Sequence, residues 1–185
     1  AQVYIMPDAE GPVLDWADSN SAYYEMIIEM PLGSVTDSED IDRIFTLVGL
    51  DLFKNGMRSI SVVEGEVPTA NELLIQVMMD EGSMKFLGWN VGEKHTVSIN
   101  GVQQDVEIVG TSNAELARTM YFLRGDLSEI LGVNATSIYL QLPEGIEVDS
   151  ALGEVSTGVV KRQNLLDGIN SLLDQQTKIF QAMMY

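Results

Sequence analysis

The dipeptide Asn100-Gly101 stands between two runs that alternate apolar and polar residues, Thr96-Val97-Ser98-Ile99 and residues 104–109. Both residue types accept the positive φ that a type I′ turn requires at its two centres, so the runs close into an antiparallel hairpin. Successive side chains of a strand face opposite ways, and one face of such a hairpin has to be buried by the rest of the chain. Around it the sequence is punctuated by Gly and Pro rather than by long helical stretches.

Elements of both kinds flank the hairpin. Residues 23–30 (YYEMIIEM) are rich in strand formers, and Pro31-Leu32-Gly33 reads as their stop. Residues 57–64 lead as a strand into the turn Gly65-Glu66-Val67-Pro68. Residues 71–79 begin as a strand, with Leu73, Ile75 and Val77 alternating, and a short helix over 78–87 ends at Gly88. Residues 119–123 form a strand, Asp126 caps a short helix ended by Gly132, and residues 135–142 alternate as a strand before Pro143-Glu144-Gly145. Residues 147–156 read as weak helix or loop, and 1–22 as irregular lead-in. The longest helical signal spans 161–185, where Leu165, Leu166, Ile169, Leu172, Leu173, Phe180 and Met184 make one apolar stripe. The expected class is α+β, with mixed, mostly antiparallel sheets, short helices and a long C-terminal helix.

Composition excludes several functions. The 28 acidic against 10 basic residues give a formal charge of −18, a surface that repels nucleic acid and anionic headgroups. With no cysteine and one histidine, the chain offers no disulfide scaffold, thiol nucleophile, thiolate zinc site or multi-histidine metal site. His95 falls at the start of a hairpin strand, where a structural role is the expectation. No G-x-S-x-G elbow, phosphate-binding loop or H-E-x-x-H helix occurs. The cluster Asp37, Glu39, Asp40 and Asp42 lacks the central glycine of an EF-hand loop, and capping of a helix N-terminus accounts for it more simply. Asn134-Ala135-Thr136 is a formal glycosylation sequon. Met78 and Met79 read as core, whereas Met183 and Met184 suggest a continuation past the end. The sequence thus predicts no catalytic, cofactor-binding or metal-binding residue. No run reaches the roughly 20 apolar residues of a membrane helix, and a chain starting at Ala1 reads as a piece of a longer protein.

Six elements in one order resemble a known family. They are Gly49-Leu50-Asp51; Glu64-Gly65-Glu66-Val67-Pro68; Leu87-Gly88 followed by Val91-Gly92-Glu93; the return strand ending at Val109-Gly110; Tyr121-Phe122-Leu123 with Asp126-Leu127; and the strand that opens at Asn134. This order resembles the extracytoplasmic domain of FtsX-like and MacB-like (LolC/LolE-type) ABC-transporter permeases over about residues 43–180. Glu66 replaces the family's arginine, a proline is missing after Tyr121, and the start matches least. For residues 38–50 the helical spacing of Ile41, Ile44, Phe45 and Val48 favours a helix running into a short extended piece, while the family pattern makes 45–50 a strand.

The resemblance implies a MacB-like periplasmic core domain outside the membrane, in a permease that works with a cytosolic ATPase. Its residues 1–44 and 134–185 would form a membrane-proximal lobe, and 45–133 an inserted distal lobe. Partners would include a second permease copy or a protein outside the membrane, and a lipid, lipoprotein or peptide substrate. The terminal helix would be a stalk, with Leu165, Ile169, Leu172, Leu173, Phe180 and Met184 on its interaction surface. The competing expectation is a stand-alone acidic cell-surface binding or adhesion module; a carboxylate-dependent hydrolase ranks third.

Overall fold

The computed structural model describes residues 1–161. Its elements, in chain order, are β1 (Gln2–Tyr4), α1 (Gly11–Ser19), β2 (Tyr23–Thr36), β3 (Asp42–Leu50), β4 (Val62–Gly65), β5 (Ile75–Asp80), α2 (Glu81–Leu87), β6 (Lys94–Ile99), β7 (Val102–Ser112), β8 (Thr119–Leu123), α3 (Arg124–Leu131), β9 (Ser137–Gln141), α4 (Ser150–Glu154) and β10 (Gly158–Val160). The pairing is mixed and mostly antiparallel; β3–β8 and β5–β7 are the parallel pairs. The stretch expected to form the long terminal helix, with its apolar stripe, lies outside the described residues.

Two units share β2. Its first half pairs with β9, and the order β10-β1-β9-β2 makes an outer sheet. Its second half pairs with β3 on one side and β6 on the other. The ladder then runs β3-β8-β5-β7-β6 and back to β2, closing a barrel. Alternate residues of these strands fill its interior, among them Ile28, Phe45, Leu47, Val77, Met79, Val97, Ile108 and Phe122. β5 and β8 run antiparallel, so the helices that follow them reach opposite mouths. α2 inserts Met84 into one, and α3 inserts Leu127 and Ile130 into the other. The outer sheet has its own smaller core, in which α1 and α4 cover one face through Val13, Ala17 and Leu152. A third cluster on the barrel's outside, with Leu50, Phe53, Met78 and Tyr121, lies beneath the segment after β3.

The hairpin forms as the Asn-Gly pair requires, with Asn100 at φ 48 and Gly101 at φ 84. Gly88 and Gly132 end α2 and α3 in the left-handed conformation, and Met78 and Met79 are fully buried.

Several expectations fail for physical reasons. Residues 1–22 are ordered: Pro12 sits in the first turn of α1, where its missing N–H is harmless and its fixed φ fits the helix. Pro31-Leu32-Gly33 does not stop β2. The register shifts there as a bulge, and pairing resumes at Gly33, whose missing Cβ leaves room for Leu47. The helix expected from Ser38 is instead a hairpin loop and β3. Asp37 accepts the N–H groups of Glu39 and Ile41 and pairs with Arg43, so the acidic cluster caps a turn. The helical spacing of Ile41 and Ile44 is coincidental, since both are exposed. Asp126 is no cap: α3 starts two residues earlier, after Leu123.

Candidate interaction surface

His95 is structural. Its ring stacks on Trp89 at 3.9 Å between centroids, and Nε2 lies 3.1 Å from Glu93 Oε2. Glu93 is held below the usual carboxylate range by hydrogen bonds from the Asn90 side chain and backbone, then from His95. The buried carboxylate of Asp80 is likewise architectural, accepting the N–H groups of Ser83 (3.0 Å) and Thr119 (2.8 Å) and so joining α2 to β5 and β8. Among the described residues no three acidic or histidine side chains gather as a metal site would need.

The described chain enters and leaves at one place. Gln2 and Val160 are direct partners in the β1–β10 ladder, and cross-strand partners lie about 5 Å apart. The face of the outer sheet turned away from α1 carries Gln2, Tyr4, Tyr23, Tyr139 and Gln141 together with Val160. Tyr23 is 51% and Tyr4 39% exposed, and part of this face forms a shallow depression of about 520 Å³. The six residues expected on the stalk, Leu165 to Met184, lie outside the described residues.

At the α3 mouth of the barrel an open cleft of about 700 Å³ is lined by Glu72, Asp105, Asp126 and Glu129. Burial, then the neighbouring Glu129, raises Asp126 above its ordinary value. At the α2 mouth Phe86 is 58% exposed, with the Arg118 guanidinium 4.0 Å above its ring.

Two arginines that the sequence did not mark meet at the joint between sheet and barrel. Arg124, the first residue of α3, donates from Nε to Asp51 (2.7 Å) and from Nη1 to the side chain and carbonyl of Asn134 (2.8 and 2.9 Å). Asn134 passes the contact on, its Nδ2 donating to Glu10 at the start of α1 (2.8 Å). The sequon asparagine is therefore engaged by protein. Arg58 pairs with Glu29 at 3.3 Å. Burial opposes its charge, but Glu29 and the facing Tyr139 and Tyr121 hydroxyls raise its pKa overall.

The motif residues acquire roles. Gly49 leaves room for the Arg124 backbone, Leu50 is core, and Asp51 receives the guanidinium, so Gly49-Leu50-Asp51 seats the start of α3. Gly65 and Gly110 let two backbones touch: a Cβ on Gly110 would lie 2.2 Å from the Glu66 carbonyl oxygen.

No protein-family model and no curated protein matches the sequence. Solved structures do. The extracellular domain of the noncanonic ABC-type transporter YknZ from Gram-positive bacteria superposes with a TM-score of 0.56 at 18% identity, covering 81% of this chain and 86% of that one. The periplasmic region of MacB from Actinobacillus actinomycetemcomitans gives 0.54 at 11% identity, covering 83% and 78%. The chain has the fold of the outward-facing domains of MacB-like ABC transporters. Within that MacB-like fold the long insert between β2 and β9 is the barrel, and no helix among the described residues is long and apolar enough to cross a membrane.

Proposed function

We propose that this chain is the extracytoplasmic part of an ABC-transporter permease and that it transmits ATP-driven movement of membrane helices to a substrate or partner outside the membrane. The observation that carries this is the pairing of Gln2 with Val160: the domain hangs from one point, as a unit inserted between two consecutive membrane segments must. The MacB-like fold supports the same assignment. ATP hydrolysis belongs to a cytosolic partner, and the chain itself is non-catalytic. The outer sheet is the membrane-proximal lobe, with the stretch 161–185 as the stalk returning to the membrane and Leu165, Ile169, Leu172, Leu173, Phe180 and Met184 on its contact surface. The distal lobe is the barrel, in which the inserted stretch 45–133 is completed by the second half of β2 and the start of β3. It faces a second permease copy or another protein, and a lipid, lipoprotein or peptide is the class of cargo.

The flanking sequence of the parent gene tests this. A hydrophobic run of about 20 residues should precede Ala1 and another should follow Tyr185. Two polar flanks would overturn the permease assignment in favour of a stand-alone acidic binding module.

A further inference from the structure

We propose that Arg58 and Arg124 clamp the crossing point of β2 from its two faces and make the outer sheet and the barrel one rigid lever. Among the described residues the chain passes between the two units at two places, along β2 near Ile27–Ile28 and through residues 132–136. One strand and one irregular segment alone would let the units twist against each other, because so narrow a connection bends easily.

The crossing is held on both faces. On the face where Met26 and Ile28 point into the two cores, Arg124 links the barrel residue Asp51 to Asn134, and Asn134 links on to Glu10 of the α1 side. On the opposite face, where Ile27 and Glu29 point, Arg58 pairs with Glu29 and faces Tyr139 of the outer sheet and Tyr121 of the barrel. Beside it, the Met57 N–H reaches both oxygens of Glu25, at 3.0 and 2.9 Å. Thr136 completes the joint. Where β9 gives way to the barrel, its hydroxyl accepts the Glu29 N–H (2.7 Å) and donates to the Glu29 carbonyl (3.1 Å), replacing a peptide group in the ladder.

Arg58 and Glu29 are 25% and 28% exposed, so their pair is less screened than a surface one, whereas Arg124, itself 16% exposed, reaches a half-exposed Asp51 and a partly buried Asn134. Arg124 is also forked, and a guanidinium holding Asp51 and Asn134 together resists rotation in a way one contact does not. The purpose of the lever, carrying motion from the Gln2–Val160 end to the barrel, rests on the permease assignment; its rigidity does not.

The chain has no cysteine, so spin labels can be placed at will on the isolated domain. Labels at Asp18→Cys on α1 and Gln103→Cys in the barrel should give one narrow distance distribution by pulsed electron paramagnetic resonance. With Arg58→Ala and Arg124→Ala combined, that distribution should broaden about twofold as a locked joint gains hinge motion. A second pair within the barrel, Lys85→Cys with Gln103→Cys, should be unchanged. An unaltered distribution after loss of both arginines, or equal broadening of the within-barrel pair, would overturn the proposal. If the double variant does not fold, Asn134→Ala and Arg58→Lys each remove part of one clamp, and the same two outcomes decide. The result stands whatever the flanking sequences show, so it fails or succeeds separately from the permease assignment.

Discussion

The barrel and the outer sheet solve the problem of a sheet edge in different ways. Each of the six strands that close the barrel has a hydrogen-bonded neighbour on both sides, the four-residue β4 being paired to β7 alone among the described residues, and helices fill both mouths. The outer sheet runs out at β10, three residues long, which among the described residues pairs only with β1. Their cores differ in extent: the barrel's includes Phe45, Leu47, Met79, Met120 and Phe122, and the smaller one of the outer sheet combines Ile138, Leu140 and Leu152 with Val3, Val13, Ala17 and Ala135. Burial of more large apolar side chains gives the barrel the larger hydrophobic stabilisation of the two units.

The largest expected effect is in the barrel core. Phe122→Ala should lower stability by about 3–5 kcal/mol in chemical denaturation, and Val13→Ala in the outer sheet by only about 1–2 kcal/mol. Equal losses would erase the contrast. Next comes the buried cap at the barrel's mouth: Asp80→Ala strands the Ser83 and Thr119 N–H groups and should cost roughly 2–3 kcal/mol, with partial recovery in Asp80→Asn. A neutral result would show that α2 is not tied to the barrel through that side chain. Gly110→Ala forces a methyl against the Glu66 carbonyl and should cost about 1–3 kcal/mol, seen as a lower melting temperature.

The smallest effect concerns pH. Burial, then the Glu115 carboxylate that its hydroxyl meets at 2.7 Å, raises Tyr121 of the barrel well above the usual phenol value. Tyr139 of the outer sheet is raised chiefly by burial, with Arg58 working against it. Because the folded pKa values exceed the unfolded ones, the folded state holds these protons longer. Their contribution is whole below about pH 10 and is lost as pH rises towards the folded values. Melts between pH 8 and 11 should therefore show stability falling above about pH 10, and Tyr121→Phe should flatten the fall more than Tyr139→Phe. Identical slopes for the two variants would remove this distinction between the units.

The two hairpins show how much of the fold could be read in advance. Asn100-Gly101 declares its turn because both residues suit positive φ, so the β6–β7 hairpin was legible from a dipeptide. The β2–β3 hairpin turns on Asp37, Asp40 and a contact with Arg43, and in sequence its acidic residues look like the first turn of a helix. Its strand also crosses Pro31 and Gly33, which punctuate most chains but here mark a bulge. The joint was only half visible. Gly49-Leu50-Asp51 and Asn134-Ala135-Thr136 stood out as motifs, yet their shared partner Arg124 lies 73 residues from Asp51, and Arg58, which pairs with Glu29, lies on an irregular segment. No periodicity announces a contact made by a lone arginine across that separation.

The most direct test of the proposed role uses the longer permease and the ATPase that the proposal assigns to it, together in a lipid bilayer and spin-labelled at Gln103→Cys alone, so that distances are read between two copies. If the domain transmits ATP-driven motion, the distance between the two barrels should shift between the nucleotide-free and ATP-bound states. The Asp18–Gln103 distance within each copy, measured on the doubly labelled protein, should stay fixed. Barrel-to-barrel distances that are the same in both states would contradict the account.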